Sequence, residues 1–154
     1  MPQPRTKYDI AALAGYGFPV CVPLYCPVFA PNATGLDAAF APTEFASDKT
    51  GAALRLSSAQ VVCGTPGNQT GGNYVFTLTL VDTNNNVLGT AGTLVVAANT
   101  PPTLFDLRDA SGKGISLPAG IGVRLDTGAG ATGGSTNGGM FRVRLFGECY
   151  GAAV

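Results

Sequence analysis

From residue 51 onwards, the sequence consists of short segments in which side chains alternate in character, separated by turn residues. In the clearest segment, four large apolar residues alternate with smaller ones: Tyr74, Phe76, Leu78 and Leu80 with Val75, Thr77, Thr79 and Val81. A period of two residues places successive side chains on opposite faces of a β-strand. This part of the chain shows no convincing helical period. The pattern therefore predicts an all-β domain.

Two neighbouring segments predict a β-hairpin. The strand that ends at Val81 is followed by a run of polar residues, Asp82 to Asn86, and then by a second apolar segment, Val87 to Ala98. Asparagine tolerates the left-handed backbone that such a loop needs. Gly89 and Gly92 predict a bulge or a strong bend in the second strand.

The last predicted strand, Met140 to Phe146, carries two arginines on one face. Three apolar residues alternate with them: Phe141, Val143 and Leu145 with Arg142 and Arg144. We expect the apolar residues to face the core and the arginines to face outward. Arg142 and Arg144, with Arg124 on a neighbouring strand, could form a basic patch for an acidic partner. The alternative is that they are simply solvated, as surface arginines usually are.

About eight short strands without a helix predict a β-sandwich or a closed barrel. A jelly-roll-like β-sandwich is the favoured architecture, because two stacked sheets reduce the exposure of open edges. An immunoglobulin-like sandwich is the alternative, although the chain has no tryptophan and no suitable cysteine pair.

The first 45 residues differ from the rest and predict an extended, proline-rich arm (residues 1–45) before a β-sandwich domain (residues 46–154). Prolines recur at every fourth position, at Pro19, Pro23, Pro27 and Pro31. Seven aromatic residues lie in this arm: Tyr8, Tyr16, Phe18, Tyr25, Phe29, Phe40 and Phe45. We expect the arm to dock on its own domain, on a second copy or on another protein. The candidate partner contacts are Tyr8, Tyr16, Phe18, Tyr25 and Phe29, together with Arg142 and Arg144.

The apolar stretch from Ile10 to Ala30 could pass for a signal peptide or a membrane span on hydropathy alone. Its prolines argue against both, because each interior proline costs a helix about 3 kcal/mol. We therefore expect the protein to be made in the cytoplasm.

The low charge of the chain limits its partners. Charged residues make up 12% of the sequence and the formal net charge is zero, whereas an ordinary domain carries about 25% charged residues. A charge-poor exterior favours self-association or burial against another protein. The absence of net positive charge disfavours binding to nucleic acid or to an anionic membrane surface.

The absence of histidine excludes the commonest catalytic triads and zinc sites. Two carboxylate pairs, Asp106 with Asp109 and Asp82 with Asp126, could form a glycosidase site, although Asp82 and Asp109 also fit a structural role in turns. The loop from Asp82 to Asn86 has oxygen ligands for calcium but lacks the glutamate of an EF-hand. We predict no enzymatic activity, no cofactor and no metal.

The four cysteines, Cys21, Cys26, Cys63 and Cys149, form no compact disulfide framework. Cys21 and Cys26 have a spacing at the wide limit for a zinc knuckle. Isolated buried thiols are the favoured interpretation.

The chain resembles the small capsid decoration, or cement, proteins of tailed bacteriophages that are built on a jelly roll. The features that carry this resemblance are the extended arm from Pro2 to about Pro42, the β-domain rich in alanine, glycine and threonine, and the segment from Ile115 to Arg124. The resemblance implies a virion protein that binds the outer capsid surface, often as a homotrimer, and clamps adjacent major capsid subunits.

A function of another class remains open. A carbohydrate- or receptor-binding β-sandwich, such as a fibre or spike head, would use Tyr74 or the loop asparagines on an exposed face.

Overall fold

The computed structural model describes residues 17–27, 29–43, 50–63, 73–97, 102–128 and 140–150. Within these ranges the chain forms nine β-strands and no helix. The strands are β1 (Phe18–Cys26), β2 (Asp37–Phe40), β3 (Leu54–Cys63), β4 (Asn73–Val81), β5 (Val87–Ala97), β6 (Thr103–Asp106), β7 (Ile115–Leu117), β8 (Gly122–Thr127) and β9 (Phe141–Cys149). The all-β prediction is confirmed.

The strands form two antiparallel sheets. Sheet I has the order β1-β9-β3-β6, and β7 also pairs with β3, whereas sheet II has the order β2-β8-β4-β5. The pairing is nested: β1 pairs with β9, β2 with β8, β3 with β6 and β4 with β5. This is the arrangement of a jelly roll, in which a long hairpin is rolled into two stacked sheets. The predicted jelly-roll β-sandwich is therefore confirmed.

The core lies between the two sheets and is built from both ends of the chain. Four aromatic rings meet at its centre: Phe29, Tyr74, Phe76 and Phe141. The Phe29 ring centroid lies 4.8 Å from that of Tyr74 and 5.5 Å from that of Phe76, in edge-to-face geometry. Such aromatic pairs add about 0.5–1.5 kcal/mol beyond the area that they bury.

The residues predicted as an arm belong to the sandwich wherever the structure describes them. β1 pairs with β9 along its whole length, from Phe18 opposite Cys149 to Cys26 opposite Phe141. β2 pairs with β8. The prediction that an arm ends near residue 45 and the sandwich starts after it is therefore wrong for residues 17–27 and 29–43. The earlier part of the predicted arm, with Tyr8 and Tyr16, lies outside the described residues.

The hairpin of β4 and β5 is confirmed. Asn85 has a φ of 65°, the left-handed backbone that the loop requires. The register between the two strands shifts twice, beside Gly92 and beside Gly89, as the glycines predicted. Tyr74, Phe76 and Leu78 face the core.

β3 is a single strand of ten residues that contains one irregularity. Its pairing with β9 shifts between Leu56 and Ser58, so that Ser57 is an additional residue in a β-bulge. The backbone of β9 approaches the bulged strand very closely at Gly147, where a Cβ atom would overlap the carbonyl oxygen of Arg55. The bulge accommodates an irregular residue without ending the strand.

The described part of the chain contains no helix long and apolar enough to cross a membrane.

Candidate partner-binding face

The two arginines of β9 lie on the outer surface of sheet I. Phe141, Val143 and Leu145 face the core and are almost fully buried, which confirms the predicted alternation. Arg142 is exposed and Arg144 is partly exposed. Their position follows directly from the two-residue period of a strand.

Tyr25 packs against one of these arginines from the neighbouring strand. It lies directly opposite Arg142 in the β1·β9 ladder. The guanidinium carbon of Arg142 is 5.2 Å from the centroid of the Tyr25 ring, within the range of a cation–π contact. The ring remains 44% exposed. Tyr25 and Arg142 therefore hold each other in place while both remain accessible.

Two apolar residues extend this surface. Met140 is 47% exposed. It lines a shallow cleft of about 120 Å³ with Val62 of β3, Tyr25 and Arg142. We call the surface formed by Tyr25, Val62, Met140, Arg142 and Arg144 the arginine face. It combines aromatic, methionine and arginine side chains, the residue types that are enriched in protein interfaces.

The charges of the arginine face are not neutralised within the described residues. Neither Arg142 nor Arg144 forms an ion pair there. Glu148 lies further along β9 and accepts a hydrogen bond of 2.6 Å from the Tyr150 hydroxyl. The arginine face can therefore attract an acidic partner.

The third arginine of the predicted basic patch lies elsewhere. Arg124 is in β8 of sheet II, where it forms an ion pair of 2.9 Å with Asp126. The two side chains are only 11% and 9% exposed. The prediction that Arg124 joins Arg142 and Arg144 is therefore wrong, because β8 and β9 belong to different sheets.

Asp126 is the centre of a buried polar network. It accepts hydrogen bonds from the Gly35 amide and the Thr79 hydroxyl, both 2.7 Å long, in addition to those from Arg124. Burial raises the pKa of Asp126, but the hydrogen bonds from Arg124, Gly35 and Thr79 outweigh this effect and lower the pKa overall. The network joins the loop before β2 to the outer side of sheet II.

The other carboxylates serve the turns, as the alternative interpretation predicted. Asp82 accepts hydrogen bonds from the amides of Asn84 and Asn86, and Asp109 accepts them from the amides of Ser111 and Lys113. Hydrogen bonds, first of all those from the side chains of Asn86 and Ser111, lower the pKa of both aspartates.

Asp106 is bound by an arginine close to it in sequence. The side-chain hydrogen bonds from Arg108 lower the pKa of Asp106 to about 2. A general acid of a glycosidase requires a raised pKa instead. None of the four candidate carboxylates has one.

No group of three or more metal-binding side chains occurs within the part of the chain that the structure describes. Cys21 and Cys26 point to opposite sides of β1, since Cys21 is exposed and Cys26 is buried. They therefore cannot bind one zinc ion together. The prediction of a buried thiol is correct for Cys26, whose pKa burial raises to about 11, and wrong for Cys21.

The two remaining aromatic candidates of the described region do not belong to the arginine face. Phe29 is 2% exposed and lies in the aromatic core, so its prediction as a partner contact is wrong. Phe18 is half-buried at the opposite end of β1 from Tyr25. The sequence analysis did not identify Met140 or Val62 as members of this surface. For Val62 the reason is that only the pairing of β3 with β9 brings it to Arg142.

Comparison with protein-family models, curated proteins and solved structures found no match. The geometry of the arginine face is therefore the basis for assigning a function.

Proposed function

We propose that this protein is a virion structural protein that binds the outside of a capsid shell and stabilises it by clamping adjacent major capsid subunits. The observation that carries the proposal is the arginine face. There, two arginines that form no ion pair within the described residues lie beside the exposed Tyr25 and Met140 on the outer surface of sheet I. The partner is an acidic surface of the major capsid protein.

The fold is compatible with this proposal but does not distinguish it from other functions of jelly-roll proteins. Jelly rolls occur in viral shells, but also in lectins and enzymes, so fold alone does not define function. The low charge of the chain adds support, because a charge-poor exterior favours burial against other proteins. The resemblance to bacteriophage decoration proteins indicates the same class and implies a homotrimer, which remains a prediction.

Clamping requires more than one attachment. Several copies bound to one shell, or several chains linked to each other, each contribute a modest contact and together bind strongly. This mechanism needs no catalytic residue and no cofactor.

One candidate residue for the alternative function, a carbohydrate- or receptor-binding head, is not on the surface. Tyr74, which would provide an exposed aromatic platform, is buried between Phe29 and Phe141.

The test is binding of the full-length protein to capsid shells that lack it. We expect the double substitution Arg142→Glu and Arg144→Glu to reduce occupancy at least about tenfold, because it reverses the charge of the arginine face. Lys113→Glu in the exposed turn after β6 is the control, since it also adds negative charge but is not part of the arginine face and lies near Glu148, towards the other end of β9. We expect binding of the wild-type protein to weaken with salt.

Near-normal occupancy of the double variant would contradict the role of the arginine face. If the wild-type protein does not bind these shells at all, the proposed function itself is wrong, and binding to glycans becomes the next measurement.

A further inference from the structure

β5 is an edge strand of the sandwich. It is the last strand of sheet II and, within the described residues, pairs only with β4. Its eleven residues, Val87–Ala97, include no charged residue and no proline. A long uncharged edge offers its backbone groups to another β-strand.

The direction of the free backbone groups follows from the hydrogen bonds on the other side of β4. The Gly128 amide, directly after β8, donates to the carbonyl oxygen of Val75 at 2.9 Å, so the backbone groups of Val75 point away from β5. Val75 lies opposite Val95 in the β4·β5 ladder. This pair is therefore of the non-hydrogen-bonded kind, and the N–H and C=O of Val95 point to the open edge.

The same holds for Thr93, which lies opposite Thr77, two residues further along β4. Within the described ranges, no strand pairs with β5 on the side away from β4, and no other backbone group bonds to Thr93 or Val95 there. These two residues therefore present two N–H donors and two C=O acceptors at regular strand spacing.

The other described edge strands are protected. β1 carries Pro19 and Pro23, which have no N–H, and β7 has three residues. β2 and β6 have four residues each and contain Asp37 and Asp106. Proline, charge and short length are the usual ways in which proteins prevent pairing at an edge.

The regular part of β5 is short. The two register shifts disrupt its first half, around Gly89 and Gly92, and bulges oppose pairing. From Thr93 to Val96 the strand is regular and Val95 is 47% exposed. This segment is the surface available to a second strand.

We propose that β5 pairs with β5 of a second copy of this chain, antiparallel and across a two-fold axis. Self-pairing places residues of β5 opposite other residues of β5, where like charges would oppose it, and β5 has no charge. The contact is isologous, so it joins two sheets II into one continuous sheet and closes as a dimer.

This interface does not depend on the proposed function. It uses the edge of sheet II, whereas the arginine face lies on the outer surface of sheet I. A dimer of this kind presents two arginine faces. It also differs in stoichiometry from the trimer that the resemblance implies.

The experiment is sedimentation velocity on the full-length protein from low to high micromolar concentration. We expect the wild-type protein to form a dimer of twice the 15.5 kDa chain mass. Val95→Lys should raise the dissociation constant about tenfold or more, because it introduces like charges from both copies into the short segment that pairs. Leu104→Lys is the control, since it adds the same charge at an exposed apolar position of β6, and it should leave the dimer unchanged.

Hydrogen exchange of the wild-type protein provides a second measurement, which decides the matter if Val95→Lys does not fold. The amides of Thr93 and Val95 should exchange more slowly at the concentration where the dimer forms. A wild-type monomer at every concentration, a trimer, or a dimer in which these amides stay unprotected would overturn the proposal. A monomer with protected amides would overturn it too, because another part of the same chain would then cover the edge.

Discussion

At Gly147 the backbones of β9 and β3 lie very close to each other. A Cβ atom at this position would overlap the carbonyl oxygen of Arg55, and the obstacle is backbone rather than a movable side chain. Gly147 lies opposite Leu56, directly beside the bulge at Ser57. The glycine is therefore required by its lack of a side chain rather than by its backbone angles.

We predict that Gly147→Ala lowers the free energy of unfolding by about 2–3 kcal/mol, because the two strands must separate to admit the methyl group. Gly89→Ala in β5 is the matched control, since no described atom lies within 4 Å of the place that a Cβ atom would take there. The control should change stability by about 0.5 kcal/mol or less. Denaturant unfolding of both variants measures the difference, and equal effects would show that the strands can move apart at little cost.

Asp126 makes stability depend on pH. Its pKa is lowered in the folded protein by hydrogen bonds from Arg124, Gly35 and Thr79, which outweigh the opposing effect of burial. A carboxylate with a lowered pKa stabilises the fold above its unfolded value of 3.8, and this contribution is lost as the pH falls through the folded pKa.

We predict that Asp126→Asn destabilises the protein by about 2–4 kcal/mol at pH 7, since it removes the carboxylate that pairs with the Arg124 guanidinium in a site from which water is largely excluded. The difference from the wild-type protein should shrink as the pH falls from 3.8 through the lowered pKa of folded Asp126, because the wild-type side chain then becomes protonated as well. Asp106→Asn, which affects an exposed pair with Arg108, should cause a much smaller change at pH 7. A constant difference down to pH 2 would contradict the assignment.

At the scale of strands, β1 shows that prolines at every fourth position are compatible both with an extended arm and with an edge strand. The Tyr25 amide does not face β9 but donates to the Asp37 carboxylate at 2.8 Å. Pro19 and Pro23 are separated from Tyr25 by an even number of residues, so their ring nitrogens point to the same side of β1 as the Tyr25 amide. No described strand pairs with β1 on that side. Prolines separated by four residues are therefore compatible with an edge strand, because all of them face away from the ladder.

This explains which parts of the fold the sequence could predict. β4 and β9 were predictable because a two-residue period of apolar side chains depends on the strand alone. β1 was not, since a proline is tolerated only where one side of the strand is unpaired, which depends on neighbours far away in sequence. The same limit applies to the arginine face: the direction of Arg142 was predictable, whereas its contact with Tyr25 required the pairing of β1 with β9.

The strands near the N-terminus lead to a prediction for truncation. Deletion of residues 2–42 removes β1 and β2 and with them Leu24, Cys26 and Phe29 from the core. We predict that this variant has no cooperative thermal transition, whereas deletion of residues 2–16, which leaves all nine described strands in place, retains one. Circular dichroism on heating measures both. A cooperative transition in the longer deletion would show that residues 46–154 fold alone, as the sequence pattern suggested.

For the whole molecule, the two sheets have different tasks in the proposed assembly. The outer surface of sheet I carries the arginine face, and the prolines of its edge strand β1 oppose pairing with a further strand. Sheet II has the open edge at β5 and the buried network of Arg124 and Asp126. Attachment to a shell and pairing between copies therefore use separate surfaces and can be removed separately by mutation.

The nested pairing also affects how the protein forms during translation. β9 lies between β1 and β3 in sheet I, and it is the last of the described strands to leave the ribosome. Until it emerges, β1 lacks its partner in that sheet and the apolar side of β3 lacks Phe141, Val143 and Leu145 beside it. Sheet I can therefore be completed only after Cys149 has been synthesised, and a product that terminates before β9 lacks one of the two inner strands of that sheet.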